Sequence, residues 1–253
     1  MNKVYLYAGD FNSLIALIVE LIKRRIIPGE IDSINRYEDK LFDEVIFLEV
    51  DEYRNRELLN KYLSKRVMGS IYYTFLSDNS NKEMIIYNFI KAALVYKNKV
   101  FGYRKLDCVN DVIRISRRVG GEAHKLKGFL RFKELKNSVL YGVINPTNNV
   151  IGILAYHFQK RLSNEYWIIK DENREIYALY DKRKVIYLND EDIIKLNLEL
   201  GEKEEMVEEL WKTFFKTIAI KDRENKRCQM NFMPKKYWKN ILEMEEEYEE
   251  SNS

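Results

Sequence analysis

The amino-acid sequence predicts an α+β fold, with a mostly helical N-terminal part and a C-terminal antiparallel sheet of about five strands packed by helices. Three observations predict it. Apolar residues recur at helical spacing through much of residues 1–100. Five short apolar runs bounded by turn residues follow between positions 129 and 188. These runs do not alternate regularly with helices, as the strands of a doubly wound fold would.

The first predicted region, residues 1–100, is mainly helical and holds one or two strands. Its predicted elements are a strand at 4–7, a helix at 11–25, a buried strand at 45–50, and helices at 52–67 and 82–96. Asn12 or Ser13 could cap the first helix, because both side chains accept hydrogen bonds from free backbone N–H groups. The polar run at 77–81 breaks the pattern and could cap the helix that follows it.

The second predicted region, residues 101–240, is an α+β region, and an acidic tail occupies residues 241–253. Its predicted elements are a helix from 106, strands at 129–134 and 139–145, a helix from about 145 to 161, strands at 166–170, 175–180 and 184–188, and helices at 203–218 and 234–250. Polar residues at 136–138 and 181–183 predict tight turns between neighbouring strands.

Charge is segregated along the chain, although the net charge is only +3. Residues 101–161 contain 12 Lys and Arg against 4 Asp and Glu, and residues 221–240 contain 7 against 2. The tail at 241–253 has six glutamates and no basic residue. Such segregation says more about a binding partner than the total charge does, and it favours a polyanion as partner of the two basic regions.

A basic row follows one side of the helix that starts at 106, provided that this helix continues through Gly120 and Gly121. A rotation of about 100° per residue separates two faces. The predicted core face holds Val109, Val112, Ser116, Val119 and Ala123. The predicted nucleic-acid-binding residues on and beyond the other face are Arg114, Arg117, Arg118, Lys125, Lys127 and Arg131. A row leading from a helix onto a strand suits a polyanion backbone better than a single small anion.

The run at residues 220–238 mixes basic residues with amides and aromatic rings, a composition common where single-stranded nucleic acid is held. Its candidate nucleic-acid-binding residues are Arg223, Asn225, Gln229, Lys235 and Lys236. The alternative is a polar loop between two helices, in which Trp238 packs into the core.

The candidate catalytic residues are His124, His157 and Glu122, because histidine is the side chain that most often transfers protons near neutral pH. On a helix, Glu122 and His124 would point about 200° apart, so they would not form a neighbouring acid–base pair. His157 lies one turn before Arg161, and such a pair could bind phosphate. The alternative is that each histidine is a structural residue.

Several classes of site are not predicted. The two cysteines, Cys108 and Cys228, are far apart, so neither a disulfide framework nor a metal cluster is expected. Gly120 and Gly121 lack the spacing of a phosphate-binding glycine loop. Acidic residues such as Asp171 adjoin predicted turns, where solvated carboxylates are expected. We therefore expect no metal, no cofactor, no signal peptide and no membrane segment, and a cytoplasmic location.

Four runs resemble an uncharacterised bacterial family whose members are usually labelled "probable DNA metabolism protein". They are YAGDF at 7–11, RVGGEAHKLKGFLRF at 118–132, HFQKRL with WIIKDENR across 157–174, and LWKTFFKTIAIKDREN with QMNFMPKKYW across 210–238. The first is similar to the family's usual Tyr-Asp-Gly-Ser-Phe start, from which Ala8 and Asp10 depart. The resemblance thus covers nearly the whole chain, and it favours a functional role for Arg223, Asn225 and Gln229.

The resemblance implies a pathway rather than a reaction. Members of the family are usually encoded beside a radical S-adenosylmethionine protein thought to modify or repair DNA, and some carry a fused uracil-DNA glycosylase-like domain. The glycine-rich motif of such glycosylases is absent here, so this chain is not expected to be the glycosylase.

Three functions remain open from the sequence. The first is a DNA-binding accessory protein in repair or modification that works with the radical S-adenosylmethionine partner on single-stranded or lesion-containing DNA. The second is an enzyme that acts on damaged DNA or nucleotides through His124 or His157. The third is a protein–protein adaptor.

Overall fold

The computed structural model describes residues 2–134 and 139–189. The chain divides into two compact units, one ending at Gly120 and the other beginning at Gly121. The first elements are β1 (Asn2–Tyr7), α1 (Phe11–Lys23), β2 (Glu30–Ser33), β3 (Asp43–Ile46), α2 (Glu52–Tyr62), α3 (Lys65–Phe75), α4 (Lys82–Tyr96), a 3₁₀ helix (Lys97–Gly102) and α5 (Asp107–Phe129). They are followed by β4 (Phe132–Glu134), β5 (Val139–Ile144), α6 (Ile151–Arg161), β6 (Tyr166–Asp171), β7 (Ile176–Tyr180) and β8 (Val185–Asn189).

The predicted α+β class is confirmed, and the first unit contains a three-stranded parallel sheet of order β2-β1-β3. The central strand β1 is buried from Val4 to its end, because both of its edges are paired. The sequence missed β2, whose residues EIDS are short and polar. The prediction of a buried strand at 45–50 is wrong, since β3 ends at Ile46 and has only β1 as a neighbour.

Helix α1 packs its apolar residues into the core of this unit, where Leu14, Ile15 and Ile18 are fully buried. Its cap is Asp10, whose carboxylate accepts hydrogen bonds from the backbone N–H groups of Asn12 at 2.8 Å and Ser13 at 3.1 Å. The predicted capping by Asn12 or Ser13 is therefore wrong, because both residues already lie within the helix.

The helix predicted at 52–67 is two helices, α2 and α3, and the break lies at extended Leu63. Ser64 then caps α3, because its side chain accepts a hydrogen bond from the N–H of Val67. The helix predicted at 82–96 is confirmed as α4. Its expected cap is not seen, since Asn81 makes no side-chain capping hydrogen bond.

Helix α5 runs without a break through Gly120 and Gly121, as the two-faced pattern requires. Its buried residues recur every three or four positions and are Val109, Val112, Ile115, Val119, Ala123 and Leu126. Ile115 thus takes the core position predicted for Ser116, which is half-buried. The helix extends to Phe129, so the strand predicted at 129–134 is shortened to β4.

The second unit contains the predicted five strands, in the order β4-β5-β6-β7-β8. Three pairs are antiparallel, but β5 and β6 are parallel, with Val139 opposite Tyr166. The sheet is therefore mixed rather than wholly antiparallel. The reason is α6, which lies between β5 and β6 in the sequence and returns the chain so that both strands run the same way.

The core of the second unit is formed by this sheet and by α6. Trp167 on β6 is fully buried, and its ring stacks on that of Tyr180 with centroids 5.2 Å apart. Phe158 on α6 is buried against Phe132, with ring centroids 5.1 Å apart. The predicted turn at 136–138, the helices at 203–218 and 234–250 and the acidic tail lie outside the described residues.

Candidate nucleic-acid interface

Helix α5 presents three arginines to solvent in the first unit, as its two-faced pattern predicts. Arg114 pairs with Asp111 at 2.6 Å, and Arg118 pairs with Asp78 on the loop before α4. Both are exposed ion pairs, which contribute little to stability but reduce the local positive charge. Arg117 forms no ion pair with any residue that the structure describes.

Arg117 lines a cavity of about 270 Å³ within the first unit. Helix α3, the 3₁₀ helix, the turn after it and α5 together supply the lining residues. They are Arg66, Ser70, Phe101, Arg104, Ile113, Ser116 and Arg117. Three of these seven residues are arginines and none is acidic, so the described part of the lining carries positive charge.

The core of the unit holds Arg66 in place at this cavity. The Arg66 guanidinium carbon lies 4.7 Å from the centroid of the Phe101 ring, a cation–π contact. Phe101 in turn packs on Phe89, with ring centroids 5.8 Å apart, and Phe89 is fully buried. The buried side chain therefore fixes the ring, and the ring orients the guanidinium.

Arg104 is positioned from the start of α5. The Asn110 side-chain amide donates a hydrogen bond of 2.6 Å to the Arg104 carbonyl oxygen. The Arg104 guanidinium donates a longer one of 3.4 Å to Asn110 Oδ1. Asn110 is uncharged, so this contact orients Arg104 without neutralising it.

The cavity is equipped for binding an anion rather than for proton transfer. Each guanidinium carries five N–H donors in a planar arrangement that matches the oxygens of a phosphate. No His, Cys, Asp or Glu is among the lining residues.

A second basic cluster lies in the second unit, around His157 on α6. Burial lowers the pKa of His157, and the positive charges of Lys127 and Arg161 lower it further. The imidazole is therefore neutral at pH 7. His124 is exposed on α5, and no hydrogen bond or ring contact joins it to His157 in the described part of the chain. A catalytic role for either histidine stays a prediction.

Glu122, the third candidate catalytic residue, is buried and serves as a structural contact. Its carboxylate accepts hydrogen bonds from the backbone N–H groups of Thr147 and Asn148, both at 2.9 Å, and from the Asn148 side chain at 2.5 Å. Both oxygens are thus engaged with the loop before α6. Glu122 and exposed His124 lie on different faces of α5, as the helix rotation predicts.

The same loop is held from its other side by the turn after β6. Arg174 donates hydrogen bonds to the carbonyl oxygens of Pro146 at 3.3 Å and Thr147 at 2.6 Å, and Asn173 donates one to Pro146 at 2.7 Å. Asp171 pairs with Arg174 at 3.1 Å and is fully buried, so the expectation of a solvated carboxylate there is wrong. Burial raises the pKa of Asp171, while Arg174 opposes that change.

Sequence reasoning missed Arg66 and Arg104, which do not belong to the basic row of α5. It also missed a buried network in the first unit. The Tyr7 hydroxyl donates a hydrogen bond of 3.0 Å to Glu83, which is 1% exposed and pairs with Arg36 at 3.0 Å. Burial and then Glu83 raise the pKa of Tyr7. The signal was the YAGDF run, which begins at the last residue of β1.

The other predicted nucleic-acid-binding residues differ in exposure. Lys125, Lys127 and Arg131 are half-buried, and Arg161 is exposed at the end of α6. Arg131 donates a hydrogen bond of 2.7 Å to the Gly128 carbonyl oxygen. The residues predicted in the C-terminal basic run, Arg223, Asn225, Gln229, Lys235 and Lys236, lie outside the described residues.

Neither a metal-binding cluster nor a membrane-spanning helix is seen in the part of the chain that the structure describes. Within residues 2–134 and 139–189, no group of three or more His, Cys, Asp or Glu side chains is placed to hold a metal ion. Every helix in that same part of the chain is too short or too polar to span a lipid bilayer.

Comparison with known proteins gives one match. The model of a family described as a domain of unknown function, DUF4130, matches residues 80–243. No curated protein and no solved structure matches the chain. The matched range contains Phe101, Arg104 and Arg117 of the cavity but begins after Arg66.

Proposed function

The chain belongs to the DUF4130 family, a domain of unknown function, and we propose that it is a DNA-binding protein that contacts phosphate groups of DNA. One observation carries the proposal. Arg66, Arg104 and Arg117 line a single cavity, and no acidic residue is among its lining residues in the part of the chain that the structure describes. Arginines of this kind are the usual donors to phosphate oxygens in nucleic-acid complexes.

The protein acts as a cytoplasmic accessory factor in DNA repair or modification, and its partner is a radical S-adenosylmethionine protein. The resemblance of the sequence to a DNA metabolism family supports this pathway. No His, Cys, Asp or Glu is among the lining residues that the structure describes, which supports an accessory role there rather than a catalytic one. Single-stranded or lesion-containing DNA is the expected substrate of the complex.

The test is the salt dependence of DNA binding, measured by fluorescence anisotropy with the full chain. Each phosphate contact contributes about 0.7 to 0.9 to the slope of log K against log salt concentration. We expect Arg117→Gln to weaken binding and to reduce the slope by about that amount. Arg54→Gln is the matched control, because Arg54 is also exposed but lies on α2, outside the predicted basic row, and does not line the cavity.

Two outcomes would count against the proposal. An unchanged slope in a folded Arg117→Gln variant would remove the cavity from the interface. Absence of any DNA binding at low salt, together with co-purification of the radical S-adenosylmethionine protein, would favour a protein–protein adaptor instead.

An enzyme acting on damaged DNA is the second candidate. It is favoured by the lowered pKa of His157, which leaves a neutral imidazole beside Lys127 and Arg161. A neutral imidazole can accept a proton, and the two cations could hold a phosphate near it. Turnover of a lesion-containing oligonucleotide that is lost in His157→Gln would support this candidate, and binding without turnover would support the accessory role.

A further inference from the structure

The arrangement of the three arginines differs from that of a surface which tracks a nucleic-acid backbone. A tracking surface places its cations in a row, so that successive phosphates each meet one or two of them. Here Arg66, Arg104 and Arg117 come from three separate segments and line one cavity of about 270 Å³. We propose that this cavity binds the terminal phosphomonoester of a nucleic-acid strand, an inference that rests on the proposed DNA-binding function.

The charge of the cavity fits a phosphomonoester better than an internal phosphodiester. A phosphodiester carries one negative charge and has two unsubstituted oxygens. A phosphomonoester carries a charge of about −1.5 to −2 at pH 7 and has three strong acceptor oxygens. Arg66, Arg104 and Arg117 form no ion pair with a described residue, and the Arg104 guanidinium donates a hydrogen bond to neutral Asn110. A dianion is therefore the better counter-charge for three guanidinium groups.

The concave shape of the site also favours a strand end. An internal phosphate is flanked by nucleotides on both sides, so it approaches a protein most easily over a convex or grooved surface. A terminal phosphate is attached on one side only and can enter a cavity. At about 270 Å³, this cavity is close to the lower limit of about 300 Å³ for small-molecule sites. It has room for the phosphate and part of one nucleotide.

Part of the lining is apolar, and a bare phosphate ion would make no favourable contact with it. Ile113 on α5 and Phe101 on the 3₁₀ helix line the cavity beside the arginines, and both are half-buried. They can pack against the sugar or the base of the terminal nucleotide, as apolar walls do in other nucleotide sites. A strand end should therefore bind more tightly than inorganic phosphate.

The experiment compares oligonucleotides of one sequence that differ only at their ends. Single strands with a 5′-hydroxyl, a 5′-phosphate or a 3′-phosphate are titrated against the full chain by fluorescence anisotropy. We expect a phosphorylated end, 5′ or 3′, to bind about tenfold more tightly than the unphosphorylated strand. The preference should grow between pH 5 and 7, because the second ionisation of the monoester has a pKa of about 6.

Variants show whether the cavity is responsible for the preference. In Arg117→Gln the phosphorylated and unphosphorylated strands should bind alike, whereas Arg54→Gln should keep the preference of the wild type. Arg117→Lys keeps the charge but loses the planar pair of donors, so its preference should be intermediate. Arg117 is exposed, and circular dichroism with a thermal melt confirms that each variant is folded.

The outcomes separate this inference from the proposed function. If wild-type protein binds the phosphorylated and unphosphorylated strands equally, the end-binding inference is overturned while DNA binding stands. If no strand binds at all, both fail. A competition arm with a 5′-mononucleotide distinguishes the source of the phosphate. If the mononucleotide binds saturably and the strands bind equally well, the cavity binds a free nucleotide, and strand-end recognition is overturned.

Discussion

At the scale of single residues, the buried carboxylate of Glu122 shows that part of one sequence motif has a structural role. Glu122 belongs to the run RVGGEAHKLKGFLRF, and Asp171, Asn173 and Arg174 belong to WIIKDENR. Glu122, Asn173 and Arg174 hold the loop between β5 and α6 through hydrogen bonds to its backbone, and Asp171 pairs with Arg174. Part of the resemblance to the DNA metabolism family therefore reflects a structural requirement of the second unit.

Replacement of Glu122 by Gln tests this structural role. The amide keeps the shape of the side chain, but its NH₂ group would face a backbone N–H of Thr147 or Asn148, leaving a buried donor without an acceptor. We expect the free energy of unfolding in urea to fall by about 1–3 kcal/mol.

Glu165→Gln is the matched control, because Glu165 is exposed, and its effect should stay within about 0.5 kcal/mol. A Glu122→Gln protein with unchanged stability but no activity on DNA would instead restore the predicted catalytic role.

At the scale of elements, the sequence predicts α5 well because its face is set by local spacing. Periodicity alone identified Val109, Val112, Val119 and Ala123 as core positions. Periodicity could not show which arginines of α5 form ion pairs. Asp78, which pairs with Arg118, lies far away in the sequence, so the pairing depends on tertiary packing.

The two adjacent glycines of α5 have different surroundings, although the sequence presents them as equivalent. A Cβ atom added to Gly120 would lie 3.3 Å from Cε1 of Tyr73 on α3, whereas one added to Gly121 would meet nothing within 4 Å. Gly120 thus allows the close approach of α3 within the first unit, and Gly121 has no such constraint.

This difference predicts unequal effects of alanine. Gly121→Ala should stabilise the protein by about 0.5–1 kcal/mol, because alanine is the better helix former and restricts the unfolded chain. Gly120→Ala should gain less, since the ring of Tyr73 must move by a few tenths of an ångström. Urea denaturation of the two variants under identical conditions measures the difference. An equal or larger gain for Gly120→Ala would contradict the proposed close packing.

In the second sheet, the strands were predicted correctly but the direction of one strand pair was predicted wrongly. All five strands were predicted, and so was the helix between the second and the third. A strand, a helix and a strand in succession can form a parallel pair, because the helix is long enough to return the chain to the same end of the sheet. The pairing of β5 with β6 has this form, and the predicted antiparallel sheet overlooked it.

At the scale of the whole molecule, charge segregation predicted basic regions but not how their charges are distributed in space. The described part of residues 101–161 supplies Arg104 and Arg117 to the cavity of the first unit, and Lys127 and Arg161 to the cluster around His157. Arg66 comes from outside that basic stretch. A charge count along the sequence could not have identified Arg66 as a cavity residue, because its place in the lining depends on the packing of α3 beside α5.

The chain contains only two histidines, so a single proton linkage can test whether the second basic cluster contacts DNA. In the free protein, burial and the charges of Lys127 and Arg161 lower the pKa of His157. A phosphate bound at this cluster would offset the two cations, and the pKa of His157 should then rise.

The sign of the linkage follows from that shift. Between the pKa of His157 in the free protein and its higher pKa in the complex, the complex binds more protons than the separate components. DNA binding should therefore strengthen as the pH falls through this window, and His157→Gln should remove that part of the pH dependence.

The measurement is an NMR titration of the imidazole Cε1 protons with and without a single-stranded oligonucleotide. His124→Gln leaves one histidine signal, which assigns His157 without further labelling. His124 is exposed, and no contact between it and His157 is seen among the described residues. The His124→Gln substitution should therefore not disturb His157. A His157 pKa that stays constant or falls when DNA saturates the protein would exclude Lys127 and Arg161 from the interface.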